Sequence, residues 1–79
     1  MYYVYIIQNP VGKLYTGQTN DLAIRLQKHN NNQNHYTRNK GPWKLLYSEQ
    51  YNSRSEAMKR EKELKTGKGR DWIKKNILP

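Results

Sequence analysis

The sequence predicts an α/β (α+β) fold in which a three-stranded antiparallel sheet is flanked by helices, in the order β-β-α-β-α-α. Runs of β-branched and aromatic residues indicate strands at YYVYIIQ (2–8) and WKLLYSEQY (43–51). The turn residues of QNPVG (8–12) indicate a short loop, so the first two strands must be antiparallel. A chain of 79 residues is expected to form one domain, residues 1–79.

The returning strand is KLYTGQT at 13–19, and a helix follows it. Asn20 is the predicted helix cap, because its side chain can accept a hydrogen bond from a free backbone N–H. Asp21 suits the positive first turn. The predicted apolar stripe of this helix consists of Leu22, Ala23 and Leu26.

A loop is predicted at 30–42, where turn residues dominate and apolar periodicity is missing. Ser53 and Glu56 form a capping box that opens the second helix, which is expected to end near Gly67. The last helix is predicted at 71–78, and it carries Trp72 and Ile73 toward the core.

The charge of the chain points to a polyanionic partner. Fifteen Lys and Arg residues stand against six Asp and Glu residues, for a net charge of +9. Nucleic acid, and DNA in particular, is the first candidate partner. No membrane partner is expected, because no apolar run could span a bilayer and the helices lack a wide apolar face. The start of the chain lacks a signal pattern, so a cytoplasmic or nucleoid-associated setting is expected. The absence of cysteine excludes disulfides and thiolate metal sites.

Glu61 occupies an unusual place in the second helix. With about 100° per residue, it lies about 40° from Ala57 and so points along the apolar stripe that also contains Leu64. An ionised carboxylate there must be paired, coordinated or neutralised. Either the helix is rotated or a Lys or Arg pairs with Glu61, or else Glu61 is a single-carboxylate ligand of a divalent metal.

Arg25 and His29 are four residues apart, so they share one helix face beside the apolar stripe. One interpretation is a solvated basic face. The other is a phosphate clamp beside a titratable imidazole, because arginine matches phosphate oxygens and histidine moves protons near neutral pH.

Tyr5 and Tyr15 share a sheet face only if their strands pair in an even register. A three-residue loop would place Tyr5 opposite Tyr15, whereas a two-residue loop would pair Tyr5 with Thr16 and separate the two hydroxyls. Gly17 lies on the Tyr15 face, where its missing side chain would leave room for a phosphate backbone. Packing alone accounts for the other strand tyrosines.

Taken together, VYI at 4–6, YTG at 15–17, Arg25, His29 and Glu61 resemble the GIY-YIG nuclease domain. The resemblance covers nearly the whole chain, and the chain is most similar to the small stand-alone branch of proposed endonucleases. The supporting segments are YTGQTNDLAIRLQKHN, HYTR and SRSEAMKREKELKTGKGR. Each motif alone is weak, but their order and the ten-residue spacing of Tyr5, Tyr15 and Arg25 are specific.

The resemblance implies a metal-dependent endonuclease that hydrolyses phosphodiester bonds in DNA, with Mg²⁺ or Mn²⁺ as cofactor. We expect it to be structure-selective or weakly sequence-specific. It implies that Tyr5 orients water or phosphate, that Tyr15 activates the attacking water and that Arg25 holds the scissile phosphate. His29 would shuttle a proton, and Glu61 would be the only protein ligand of the metal. A free phenol has a pKa near 10, so a neighbouring cation and the metal would have to lower it.

Three departures from the family accompany the resemblance. Val4 replaces a motif glycine, Gln18 stands where some relatives carry lysine, and Asn76 is an uncertain counterpart of a late asparagine that equally suits a helix end. These 79 residues contain no appended specificity domain, so we expect the basic loop and helices, or an unidentified protein partner, to select the substrate. The expected nucleic-acid-binding residues are Gly17, Gln18, Tyr36, Arg38, Lys40, Lys65, Lys68 and Arg70.

Two alternatives to an endonuclease remain at this point. One is a noncatalytic nucleic-acid-binding module that keeps the nuclease scaffold, and the other is an assembly subunit whose charge serves a protein partner. The sequence does not distinguish DNA from RNA and does not give the oligomeric state.

Overall fold

The computed structural model describes residues 1–34 and 36–78 and shows a three-stranded antiparallel sheet with three helices, which confirms the predicted fold class and order. His35 of the HYTR segment and Pro79, the last residue of the predicted domain, lie outside the described residues. None of the described helices is long and apolar enough to cross a membrane. The elements are β1 (Tyr2–Gln8), β2 (Leu14–Thr19), α1 (Leu22–Asn30), β3 (Lys44–Tyr51), α2 (Arg54–Leu64) and α3 (Gly67–Asn76).

The strand order is β2-β1-β3, and β1 pairs antiparallel with both neighbours. Tyr5 lies opposite Gly17, so both loop lengths considered above are wrong. The connection spans residues 9–13, because the backbone and side chain of Asn9 both bond to the backbone of Lys13, at 3.0 and 2.8 Å. The register is nevertheless even, so Tyr5 and Tyr15 share one sheet face.

Both faces of the sheet are covered, which explains why four successive residues of β1 are buried. One face packs against α2 and α3, and the other packs against Leu22 and Leu26 of α1 and against Trp43. The first core contains Val4, Ile6, Ala57, Leu64 and Ile73, and the second contains Tyr5, Ile7 and Trp43.

The start of α1 differs from the prediction by one residue. Asp21, not Asn20, is the N-cap, and its side chain accepts a hydrogen bond from the Ile24 N–H at 3.1 Å. The predicted apolar stripe is wrong at Ala23, which is exposed. His29 takes its place, because it lies on the buried face of the helix.

The capping box of α2 is confirmed, since the Ser53 side chain accepts a hydrogen bond from the Glu56 N–H at 3.3 Å. The predicted end of α2, near Gly67, was too late, and the predicted start of the last helix, at residue 71, was also too late. The helix ends at Leu64, and α3 begins at Gly67, four residues before the predicted start, because Thr66 caps it. Ile73 is buried in the core as predicted.

Candidate active site and nucleic-acid interface

Tyr5, Tyr15 and His29 form one aromatic cluster on the α1 face of the sheet. The ring centroids of the two tyrosines are 6.4 Å apart, and the Tyr15 and His29 centroids are 5.0 Å apart. Tyr5 is 1% exposed, and its hydroxyl is hydrogen-bonded to His29 Nε2 at 2.8 Å. The central strand thus presents a buried phenol, while the edge strand presents the half-buried Tyr15 beside it.

Gly17 gives space to the Tyr5 phenol. A Cβ atom at this position would lie 2.5 Å from Tyr5 Oη and 2.7 Å from Tyr5 Cζ, far closer than real Cβ contacts. Close packing against Tyr5 is therefore a structural reason for a glycine at this position, and the predicted room for a phosphate backbone stays a prediction. The glycine lets the tyrosine of the neighbouring strand lie across β2.

His29 is fully buried, so the solvated-face interpretation is wrong for this residue. Its Nδ1 atom lies 2.7 Å from Thr37 Oγ1, in a hydrogen bond that is also buried. Burial lowers the pKa of His29, and the positive charge of Arg25 lowers it further. The imidazole is therefore a neutral link between Tyr5 and Thr37 and has no direct access to a substrate.

Three other side chains influence the ionisation of the Tyr5 hydroxyl. Burial raises the pKa of Tyr5 strongly, Tyr15 and Glu61 raise it further, and Arg25 lowers it. A charged side chain shifts the pKa of a neighbouring group mainly when the two lie within about 4–6 Å of each other. Arg25 and Glu61, from helices on opposite faces of the sheet, are thus close to the same phenol. The net effect is a raised pKa, so Tyr5 stays protonated near neutral pH.

Glu61 is partly buried in α2, with 21% of its side chain exposed. Its Oε2 atom accepts a hydrogen bond from Lys65 Nζ at 2.8 Å, so the pairing with a lysine considered above is present. Lys65 also lies 5.9 Å from the centre of the Tyr15 ring. The ion pair therefore belongs to the neighbourhood of the two tyrosines.

The donor set around Glu61 fits only one kind of metal site. Among residues 1–34 and 36–78, no three or more His, Cys, Asp or Glu side chains lie together in a way that could hold a metal ion. A cation such as Mg²⁺, which keeps several waters and uses one or two carboxylates, matches this single oxygen donor. Lys65 is half exposed, and surface ion pairs contribute only about 0–1 kcal/mol, so a divalent cation could displace the lysine at little cost.

A cleft of about 520 Å³ opens beside Tyr15, between β2 and the last two helices. Leucine and isoleucine side chains form much of its lining, and three cations border it: Lys65, Arg70 and Lys74. Two of these cations were predicted to bind nucleic acid, and the sequence analysis missed Lys74.

The other predicted interface residues are distributed more widely. Tyr36 is 71% exposed, yet its ring centroid is 6.5 Å from that of Tyr15. Lys40 is exposed and lies beside Lys13, whose charge lowers the pKa of Lys40. Arg38 and Lys68 are exposed, and Gln18 points to the opposite sheet face from Tyr15.

Thr37 is the main site residue that sequence reasoning missed. The loop that carries it is anchored by Trp43, whose indole N–H donates to the Thr37 carbonyl at 3.1 Å. Asn30 in turn accepts a hydrogen bond from the Trp43 N–H at 2.6 Å. A polar residue in a polar loop gives no sign that it will be buried. The only signal in the sequence was the aromatic residue Trp43 at the end of the loop, which could anchor the loop against the sheet. Asn76 donates to the Trp72 carbonyl at 2.9 Å, as a helix-end residue does.

Comparison with known proteins shows the same domain. The model of the GIY-YIG catalytic domain matches residues 1–76. The UPF0213 protein SSP2268 of Staphylococcus saprophyticus is 46% identical over 66 residues, which cover 82% of this chain and 80% of that protein. The UPF0213 protein SAV0488 of Staphylococcus aureus is also 46% identical over 66 residues, which cover 82% of this chain and 80% of that protein.

A solved structure is also similar. The solution NMR structure of the UPF0213 protein BH0048 from Bacillus halodurans is 35% identical, with a TM-score of 0.56. The match covers 92% of this chain and 82% of that one. The names of these relatives state no activity.

Proposed function

Because the chain belongs to the GIY-YIG catalytic-domain family, we propose that it is a metal-dependent endonuclease that hydrolyses phosphodiester bonds in DNA. The observation that carries the proposal is the tyrosine pair, with ring centroids 6.4 Å apart, in which the Tyr5 phenol is influenced by the charges of both Arg25 and Glu61. These groups come from two strands and from helices on both faces of the sheet, and together they combine a weak base, a cation and a metal-binding oxygen.

Arg25 is the group that holds the scissile phosphate. It is partly buried, and it forms no ion pair with any carboxylate in the described part of the chain. A guanidinium in this state can donate two parallel hydrogen bonds to phosphate oxygens and stabilise the negative charge that develops on them.

Tyr15 is the better candidate for activating the attacking water, because it is more exposed than Tyr5. Tyr5 retains its proton and is suited to orient the phosphate or the water as a hydrogen-bond donor. Glu61 would hold Mg²⁺ or Mn²⁺, which stabilises charge on the transferring phosphate and acidifies bound water.

The basic surface supplies affinity without sequence information. Lys65 and Arg70 border the cleft beside Tyr15, and the loop cations Arg38 and Lys40 add to the net charge of +9. Contacts of this kind bind the phosphate backbone and weaken as salt rises. We propose weak sequence specificity, selection by substrate structure and work in the cytoplasm, where bacterial DNA is found.

The test is a cleavage assay on labelled linear, branched and single-stranded DNA with Mg²⁺, Mn²⁺ or a chelator. Cleavage should require the metal. Tyr15→Phe should lower the rate about 100-fold, within the range that general base catalysis contributes. Tyr47→Phe is the matched control, because that tyrosine bonds to Glu49 on the other sheet face, and it should cleave normally. Absence of metal-dependent cleavage on every substrate would refute the proposal.

One observation favours a noncatalytic binding module instead, namely the ion pair of Glu61 with Lys65. If that pair is permanent, the carboxylate never reaches a metal. Titration with Mn²⁺ while following NMR line broadening separates the two functions. Broadening centred on Glu61 supports the nuclease, and its absence together with salt-dependent DNA binding supports the module.

A further inference from the structure

A buried chain of three side chains lies behind the candidate active site. The Tyr5 hydroxyl is bonded to His29 Nε2 at 2.8 Å, and His29 Nδ1 is bonded to Thr37 Oγ1 at 2.7 Å. His29 and Thr37 are both fully buried, so water does not reach the link between them.

The protons of this chain can be arranged in two ways, because a neutral imidazole carries one ring proton. If the proton is on Nδ1, the ring donates to Thr37 Oγ1 and the Tyr5 hydroxyl donates to Nε2. If the proton is on Nε2, the ring donates to the Tyr5 oxygen and the Thr37 hydroxyl donates to Nδ1.

The surroundings of Thr37 distinguish the two arrangements. With the proton on Nδ1, the Thr37 hydroxyl would need another acceptor, and Oγ1 has no other hydrogen-bond partner within residues 1–34 and 36–78. A buried hydroxyl proton without an acceptor destabilises the folded state. With the proton on Nε2, the Thr37 hydroxyl donates to Nδ1 and is satisfied. The Tyr5 oxygen then accepts from His29, and the Tyr5 proton is free to bond elsewhere. Tyr5 likewise has no second acceptor bonded to its hydroxyl in the described residues. However, Tyr15 and Glu61, whose oxygens can accept the proton, influence this phenol, and Thr37 Oγ1 is bonded to no such group there.

We infer that Thr37 is a positioning residue that holds His29 in the Nε2-protonated tautomer, so that Tyr5 turns its hydroxyl proton toward the substrate. The last step rests on the proposed function, whereas the tautomer does not. The role of His29 then differs from the proton shuttle implied by the family resemblance. It acts as a fixed donor that orients the Tyr5 phenol.

The tautomer is measured directly on the full chain labelled with ¹⁵N-histidine. Two-bond ¹H–¹⁵N correlation spectra distinguish a protonated Nε2 from a protonated Nδ1, and a His35→Asn variant identifies the signals of the second histidine. The wild type and Thr37→Ser should both show the Nε2-protonated form. Thr37→Val, which removes the donor to Nδ1, should lose that single form. A protonated Nδ1 in the wild type, or an unchanged spectrum in Thr37→Val, overturns the inference.

Cleavage kinetics test the link to Tyr5. Thr37→Val should lower kcat about 10-fold with KM within about 2-fold, because the loss affects orientation in the transition state and not binding. Thr37→Ser should restore kcat, which a general packing defect would not predict. An unchanged kcat in Thr37→Val refutes the orienting role. If the wild type does not cleave DNA at all, the proposed function fails, while the spectra still decide the tautomer. The spectrum of the wild type also decides it if Thr37→Val does not fold.

Discussion

Two regions of this protein combine two tyrosines, one arginine and one glutamate, and they use these side chains differently. In the first region, Glu49 accepts hydrogen bonds from both Tyr47 and Tyr51 at 2.5 Å. Arg60 donates two more to the same carboxylate at 2.9 and 3.1 Å, and its guanidinium stacks 4.7 Å from the centre of the Trp72 ring. Every group is paired within the fold, so this region has no capacity left for a ligand.

In the second region, no ion pair joins the glutamate to the arginine. Arg25 has no carboxylate partner in the described chain, and Glu61 is held only by the exposed Lys65. Tyr5 is bonded to a histidine and Tyr15 lies beside it. The comparison teaches that residue types do not define a site. An arginine with no carboxylate partner among the described residues and a weakly held carboxylate distinguish the candidate active site from a structural cluster.

The largest difference between the regions should appear in catalysis. Glu61→Gln should lower the cleavage rate about 100-fold or more, because a metal contributes several kcal/mol of transition-state stabilisation. Glu49→Gln should cleave at the wild-type rate per folded molecule. The measurement is single-turnover cleavage of a labelled DNA with Mg²⁺. Equal rates for Glu61→Gln and the wild type would remove the functional side of the comparison.

Stability should show the opposite order. Glu49→Gln should lower the free energy of unfolding by about 2–3 kcal/mol, because a hydrogen bond to a charged group contributes about 1.5–3 kcal/mol net and the neutral amide keeps only part of these bonds. Glu61→Gln should change it by less than about 1 kcal/mol, since it breaks only an exposed ion pair. Urea unfolding followed by circular dichroism measures both. A larger loss for Glu61→Gln would mean that the second region is also structural.

The smallest effect concerns pH. Burial tends to raise the pKa of Glu49, but hydrogen bonds from Arg60, Tyr47 and Tyr51 outweigh it, and the net pKa lies below the ordinary 4.5. A carboxyl whose pKa is lower in the folded state stabilises the protein above its unfolded pKa, and this contribution is lost as pH falls through the folded pKa. The wild type should therefore lose stability below about pH 4.5 more steeply than Glu49→Gln. Urea midpoints between pH 3 and 6 test this, and parallel curves would contradict it.

Local signals predicted much of the fold. The strand of β1 and the capping box at Ser53 follow from residue types that act within a few positions of themselves. The predictions failed where two segments compete or meet. The hairpin register depends on how Asn9 closes its loop, and α3 starts early because Thr66 caps it directly after α2 ends.

The candidate site divides in the same way. The sequence itself determined that Tyr5 and Tyr15 lie on two neighbouring strands and that Arg25 and Glu61 lie on the two helices that follow them. Only the tertiary structure decided that Tyr5 lies across Gly17 and that a loop threonine reaches a buried histidine. Contacts between residues far apart in sequence depend on how the two faces of the sheet are covered, and local propensities carry no information about that packing.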